Sequence, residues 1–165
     1  MTYPYNDETM VFDEDEQRYI LTAKCVFDEL NINLNDKLQP TGSATSGNNA
    51  NKFLNRISMI VYNEILTNSI YNDLQIKLIK YAPSARKIIK DAMKEQVEYT
   101  WFNGDLSIYG GVNFSKNTKS QNISDRILAP MARMILSKPL TETNLSLLYP
   151  GEYVYTWVQW AKNKE

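Results

Sequence analysis

Pro83-Ser84-Ala85-Arg86-Lys87-Ile88-Ile89-Lys90-Asp91-Ala92-Met93-Lys94-Glu95-Gln96-Val97-Glu98-Tyr99-Thr100-Trp101-Phe102-Asn103-Gly104 decides the fold class of this chain. Ala85, Ile88, Ile89, Ala92, Met93, Gln96, Val97 and Trp101 recur at spacings of three and four, which is one face of a helix. Ser84 is expected to cap its start and Asn103-Gly104 to close it. Pro83 ends whatever helix precedes, because the residue before a proline is pushed out of the helical region. This stripe is the longest in the chain, so the helix is expected at the centre of the core, with Ile89 and Val97 buried against Phe53, Ile57 and Phe27.

Outward from this helix the pattern stays helical. Phe53, Ile57, Ile60, Val61 and Ile65 predict a helix over 50–67, and Ile70, Leu74, Leu78 and Tyr81 another over 69–81. Ile20, Ala23, Phe27 and Leu30 predict a helix over 14–30, with Asp13-Glu14-Asp15-Glu16 complementing its dipole. Residues 36–49 read as a polar loop. After Gly104, Leu106 to Phe114 with Gly110-Gly111 at its middle reads as a small hairpin or an extended loop. Ile123, Ile127, Leu128, Met131, Ile135 and Leu136 restore the helical period, interrupted by Pro130 and stopped by Pro139.

The expected fold is therefore mainly α: a compact bundle of about five helices, a small hairpin or loop after the long helix, and an extended aromatic tail. The expected organisation is an N-terminal extension over 1–13, a helical domain over 14–136 and a C-terminal extension over 137–165. In the tail, Glu152 to Trp160 is rich in aromatic and β-branched residues. As a strand it places Tyr153, Tyr155 and Trp157 on one face and Trp160 on the other, a surface that calls for two neighbours within the fold or for a partner, the portal or a neighbouring subunit. Tyr153, Tyr155, Trp157 and Trp160 are thus the candidate partner-binding residues.

Composition mostly excludes. The chain has 165 residues, 43% of them hydrophobic and 22% charged, with 3 Trp, 11 Tyr and 5 Phe, enough to build a real core. Histidine is absent, which removes histidine triads, bases and metal ligands. The single cysteine, Cys25, makes neither an internal disulfide nor a thiolate zinc site, and without a histidine to activate it the thiol reads as structural. No apolar run approaches the ~18 residues that span a bilayer, and the start carries no secretory pattern. The acids at 13–16 lack the alternation of a calcium loop. Asp91, Glu95 and Glu98, interleaved with Lys87, Lys90 and Lys94, read as ion pairs on a wet helix face. The glycines at 104, 110 and 111 lack the Lys-Ser/Thr of a phosphate loop. No catalytic, cofactor-binding or metal-binding residue is assigned, and no cofactor is expected.

Charge is uneven. Residues 1–30 carry eight acids against Arg18 and Lys24, and residues 51–119 carry ten bases against six acids, within a net charge of -1. Such asymmetry suits contacts between unlike patches of neighbouring copies.

Phe53-Leu54-Asn55-Arg56-Ile57-Ser58-Met59-Ile60-Val61-Tyr62, then Ala92-Met93-Lys94-Glu95-Gln96-Val97-Glu98-Tyr99 and Asn103-Gly104-Asp105, resemble the head–tail connector, or adaptor, proteins of tailed bacteriophages. In that family a helix with an apolar stripe and a terminal tyrosine precedes a long helix ending in a Gln-x-Glu-Tyr phrase and a glycine. A glycine-containing segment and a short helix follow, in the places held here by Gly110-Gly111 and by Ile123 to Leu136. The likeness spans residues 14–136; the aromatic tail and the long acidic start have no counterpart in it. It implies a non-enzymatic virion protein at the head–tail interface, made in the host cytoplasm, that assembles as a homo-oligomeric ring, typically of about twelve copies. Such a ring docks on the portal protein, extends the DNA channel with non-specific contact to genomic DNA, and offers a surface to a further neck or tail protein; no membrane is involved. The rival expectation is a small helical DNA-binding or regulatory protein, although no helix-turn-helix or zinc-finger signature supports it, and a third is a metal-dependent enzyme built on carboxylates, which no second acidic cluster marks.

Overall fold

The structure, a computed structural model, describes residues 4–38, 48–67, 79–104, 128–142 and 144–148. Two strands come first, β1 (Met10–Asp13) and β2 (Arg18–Leu21), then helix α1 (Ala23–Leu30) and a 3-10 turn (Leu34–Asp36). Helix α2 spans Asn48–Thr67, α3 Pro83–Asn103 and α4 Pro130–Leu136. Residues 79–81 are helical as well, and the rest of the helix expected over 69–81 lies outside the described residues. The fold is mainly helical with one small two-stranded sheet.

Helix α3 is the hub. It packs against α1, α2 and α4. Ala85, Ile89, Ala92, Met93, Gln96, Val97, Thr100 and Trp101 are buried along it, as its periodicity predicts. On α2, Phe53, Leu54, Ile57, Val61 and Ile65 are buried to meet it, and Trp101 stands edge-on to Phe53 with ring centroids 6.0 Å apart. Ser84 does not cap α3. The N-cap is Ala82 and Pro83 takes the first turn, where its missing N–H costs nothing. The orphan donors at this end are met from a distance: the Glu142 carboxylate accepts both the Ser84 N–H, at 3.1 Å, and the Ser84 hydroxyl. At the other end, a Cβ on Gly104 would lie 2.7 Å from the Thr100 carbonyl oxygen, so a residue without a side chain is required there.

The helix expected over 14–30 is not formed as such. Residues 14–17 are a turn and 18–21 a strand, and only Ala23–Leu30 is helical. The reason is a period of two that the helical count overlooks. Met10 and Phe12 point inward with Tyr19 and Leu21 opposite, in the antiparallel register Met10 to Leu21 and Phe12 to Tyr19. The acids supply the turn: Asp13 Oδ1 accepts the N–H groups of Asp15 at 3.0 Å and Glu16 at 3.3 Å, and Gln17 takes a positive φ of 54°. Thr22 then caps α1, its hydroxyl accepting the Cys25 N–H at 3.1 Å. With the start displaced, Cys25 and Val26 face the core and Phe27 is 54% exposed, so Phe27 does not join Ile89 and Val97 in the core.

The core also draws on both flanks. Met10 and Phe12 from the segment expected as an N-terminal extension, and Leu140, Leu145 and Leu147 from that expected as a C-terminal one, belong to it. Helix α4 begins at Pro130, which takes the first position as a start rather than a kink. The hairpin or loop expected after Gly104 lies outside the described residues.

Candidate functional site

Two faces of α3 treat their charges differently. Towards the N-terminal hairpin, charges are met. The Arg86 guanidinium lies 2.9 Å from Asp7, donates from Nε to the Tyr5 carbonyl at 3.0 Å, and stacks 5.4 Å from the centre of the Tyr19 ring. Burial works against ionising Asp7, but hydrogen bonds from Thr9 and Met10 together with Arg86 hold its carboxyl far below the ordinary carboxylate range. Tyr19 is tied to α2 by its backbone: its N–H donates to the Tyr62 hydroxyl at 2.9 Å, and its carbonyl accepts from the Ser58 hydroxyl at 2.6 Å. On α1, Glu29 accepts from the Cys25 thiol at 3.0 Å and pairs with Lys90 at 3.2 Å and Lys94 at 3.1 Å. The thiol's hydrogen bond and then the two lysines pull Glu29 down to about 2, against some burial. Burial, and then Glu29 itself, push the Cys25 thiol up to about 12, so it is a buried donor and not a nucleophile.

This arrangement corrects the ion-pair pattern expected along α3. Lys87 pairs with Asp91 at 3.0 Å as the i,i+4 spacing predicts. Lys90 and Lys94, however, turn to Glu29, so Glu98, four residues after Lys94, has no ion-pair partner among the described residues, and neither has Glu95, which no lysine faces at helical spacing. The uneven charge of the sequence is likewise used partly within the chain, as Asp7 with Arg86 and Glu29 with Lys90 and Lys94.

Glu95, Glu98, Tyr99 and Phe102 share a second face of α3, spaced i, i+3, i+4, i+7. This face and the start of α4 enclose an open groove of about 320 Å³, completed by Asn103, Ala129, Pro130 and Met131. Gln96 builds it from beneath. Buried on α3, Gln96 donates from Nε2 to the Thr100 hydroxyl at 3.0 Å, and its Oε1 accepts the Ala129 N–H at 2.7 Å. That bond moors the start of α4 on α3, whose burial of Ala132 and Leu136 turns the opposite face of α4 outward. Phe102 is 61% exposed, Met131 50% and Met134 63%, an apolar surface beside two carboxylates. No family model, curated protein or solved structure matches this chain.

A second cleft, about 630 Å³, lies between α2 and α4 and is lined by Arg56, Met59, Ile60 and Asn63. Arg133 and Glu64 form an ion pair at 2.5 Å along its wall. Among the described residues no group of three or more acidic or cysteine side chains could hold a metal ion, and no helix is long and apolar enough to cross a membrane.

Tyr153, Tyr155, Trp157 and Trp160, the partner-binding residues read from sequence, lie outside the described residues. Of the groove residues, sequence reasoning read Glu95 and Glu98 as ion-pair members and Met131 as part of an apolar stripe, and did not single out Phe102. The available signal was the spacing of Glu95, Glu98 and Phe102 along one face, off the core stripe, and Met131 with Met134 opposite Ala132 and Leu136.

Proposed function

We propose that this chain is a structural subunit that assembles as a ring at the head–tail interface of a tailed bacteriophage, docking on the portal, extending the DNA channel and presenting a surface to the next neck or tail component. The observation that carries this reading is the groove at the α3–α4 end, where exposed Phe102 and Met131 flank the Glu95 and Glu98 carboxylates, which have no ion-pair partner among the described residues. A surface of that kind fits a protein partner, since apolar anchors ringed by charge are what interfaces bury. The mainly helical fold with a long central helix agrees with the resemblance at residues 53–104.

Mass and shape test the reading. The purified chain, alone and mixed with portal-bearing capsids, should yield a closed ring by native mass measurement and electron imaging. A chain that stays monomeric or dimeric with capsids present, and instead binds duplex DNA with steep salt dependence, would be the regulatory protein of the rival expectation.

A further inference from the structure

Both flanks of the chain fasten to one turn of α3, residues 82–86. Its first helical bond runs from the Arg86 N–H to the Ala82 carbonyl at 3.0 Å. The Ser84 N–H comes too early in the helix for an intrahelical acceptor and donates to Glu142 at 3.1 Å. The Ser84 hydroxyl donates to the same carboxylate and accepts the Thr141 N–H at 3.3 Å. Behind Glu142 the chain closes on itself, Leu140 N–H to the Leu145 carbonyl at 2.9 Å and Asn144 N–H to the Leu140 carbonyl at 2.8 Å, with Leu140, Leu145 and Leu147 buried. Two residues after Ser84, Arg86 lies 2.9 Å from Asp7 and donates to the Tyr5 carbonyl. Asp7 holds β1 in turn: its Oδ1 accepts the Met10 N–H at 3.1 Å, and its own N–H donates to the Met10 carbonyl at 3.2 Å. The two fastenings share one support. Without Glu142 the turn frays, and the frayed turn no longer aims Arg86 at Asp7.

Both fastenings are carboxylates. Facing Asp7 are Arg86 from α3, Tyr19 from β2, and Thr9 and Met10 of its own segment. Facing Glu142 are the Ser84 N–H and hydroxyl from α3, and Thr141 beside it. An arginine stays charged and a tyrosine neutral throughout the acid range, so acid changes the carboxylates of this turn and not their partners. Burial works against ionising both. Hydrogen bonds from Thr9 and Met10, with Arg86, nevertheless hold Asp7 below its ordinary 3.8, and those from Ser84 and Thr141 hold Glu142 below its ordinary 4.5. Each fastening is therefore complete above those values and is lost as pH falls below them.

We propose that this turn is an acid-released joint: protonation of Asp7 and Glu142 frees the β1 flank and the turn closed by Leu140 and Leu145 together, uncovering Met10, Leu140 and Leu147 while α2 and the centre of α3 stay packed.

Amide hydrogen exchange of the full-length chain, resolved residue by residue by NMR and expressed as protection factors from about pH 6 to about pH 3, tests it. A Glu29→Gln background removes the contribution of the other carboxyl held low beside α3. Protection of the Met10 and Phe12 amides and of the Leu140 and Asn144 amides should fall over the same pH range by roughly tenfold or more, with an apolar dye binding as it falls. The Ile57, Val61 and Ile89 amides should keep their protection. At neutral pH, Asp7→Asn and Glu142→Gln should each loosen both sets of amides, and the double variant should go little further than the looser single one, since one open joint frees both flanks. Circular dichroism checks that each variant keeps its helices. Two sets of amides that loosen at different pH, a single variant that loosens only its own flank, or loss of every helix at once in acid overturns the proposal.

Discussion

The hairpin side of α3 and its α4 end are built from the same kinds of residue and finish differently. On the hairpin side the cations of α3 find opposite charge: Arg86 meets Asp7, with Tyr5 and Tyr19 beside it, and Lys90 and Lys94 meet Glu29. At the α4 end, Gln96 moors Ala129 from beneath, and above it Glu95, Glu98, Phe102 and Met131 face outward. The difference shows where the molecule spends its polar groups on itself and where it leaves them facing outward. A lysine that leaves its own helix to pair across an interface leaves its expected i,i+4 partner open.

The largest effect should come from the residue both regions lean on. Ile89 is fully buried at the centre of α3, and Ile89→Ala should cost about 2–5 kcal/mol in chemical denaturation, lowering the stability of both regions together. Arg86→Ala should break the comparison on one side only. It removes the partner of Asp7 and of the Tyr5 carbonyl and should cost about 2–3 kcal/mol, with hydrogen exchange rising in 5–21 before it rises in α4. Gln96→Leu should do the reverse. It leaves the Ala129 N–H buried without its acceptor and should cost about 1–2 kcal/mol, with faster exchange over Met131–Leu136 and little change in the hairpin.

A pH titration sharpens the contrast further. Glu29 sits at about 2 in the folded chain against an ordinary 4.5, so its contribution is complete above 4.5 and is lost as pH falls towards 2. With its solvent screening taken into account, the loss should be about 1 kcal/mol, seen as a falling melting temperature over that window and flattened in Glu29→Gln. The smallest effect belongs to the open face. Phe102→Ser and Met134→Ser should shift folding stability by no more than about 0.5 kcal/mol, because those side chains already stand in solvent. The same variants should reduce self-association measured by light scattering.

Much of the fold was legible in the residues. The period of three and four along Ala85 to Trp101 and along Phe53 to Ile65 dictates α3 and α2 together with their buried faces, because a helix must cover its apolar stripe. Pro130 and Pro139 bracket the short last helix through the loss of an N–H and the restricted residue before a proline. Cys25 was readable as structural from the absence of any histidine. The hairpin was not, although Met10, Phe12, Tyr19 and Leu21 alternate: a four-residue strand carries too short a pattern to outweigh a helical spacing running through Ile20 and Phe27. Tertiary structure alone decided which acids Lys90 and Lys94 would choose. Sequence spacing offers Lys94 partners on its own helix, Asp91 and Glu98, and offers Lys90 none; Glu29 takes both lysines because α1 brings it against both at once while the Cys25 thiol donates to the same carboxylate. It also decided that the cap of α3 would come from Glu142, more than fifty residues away, since a carboxylate reaching the orphan N–H groups of a helix is recognisable only once the chain has folded back to place it there.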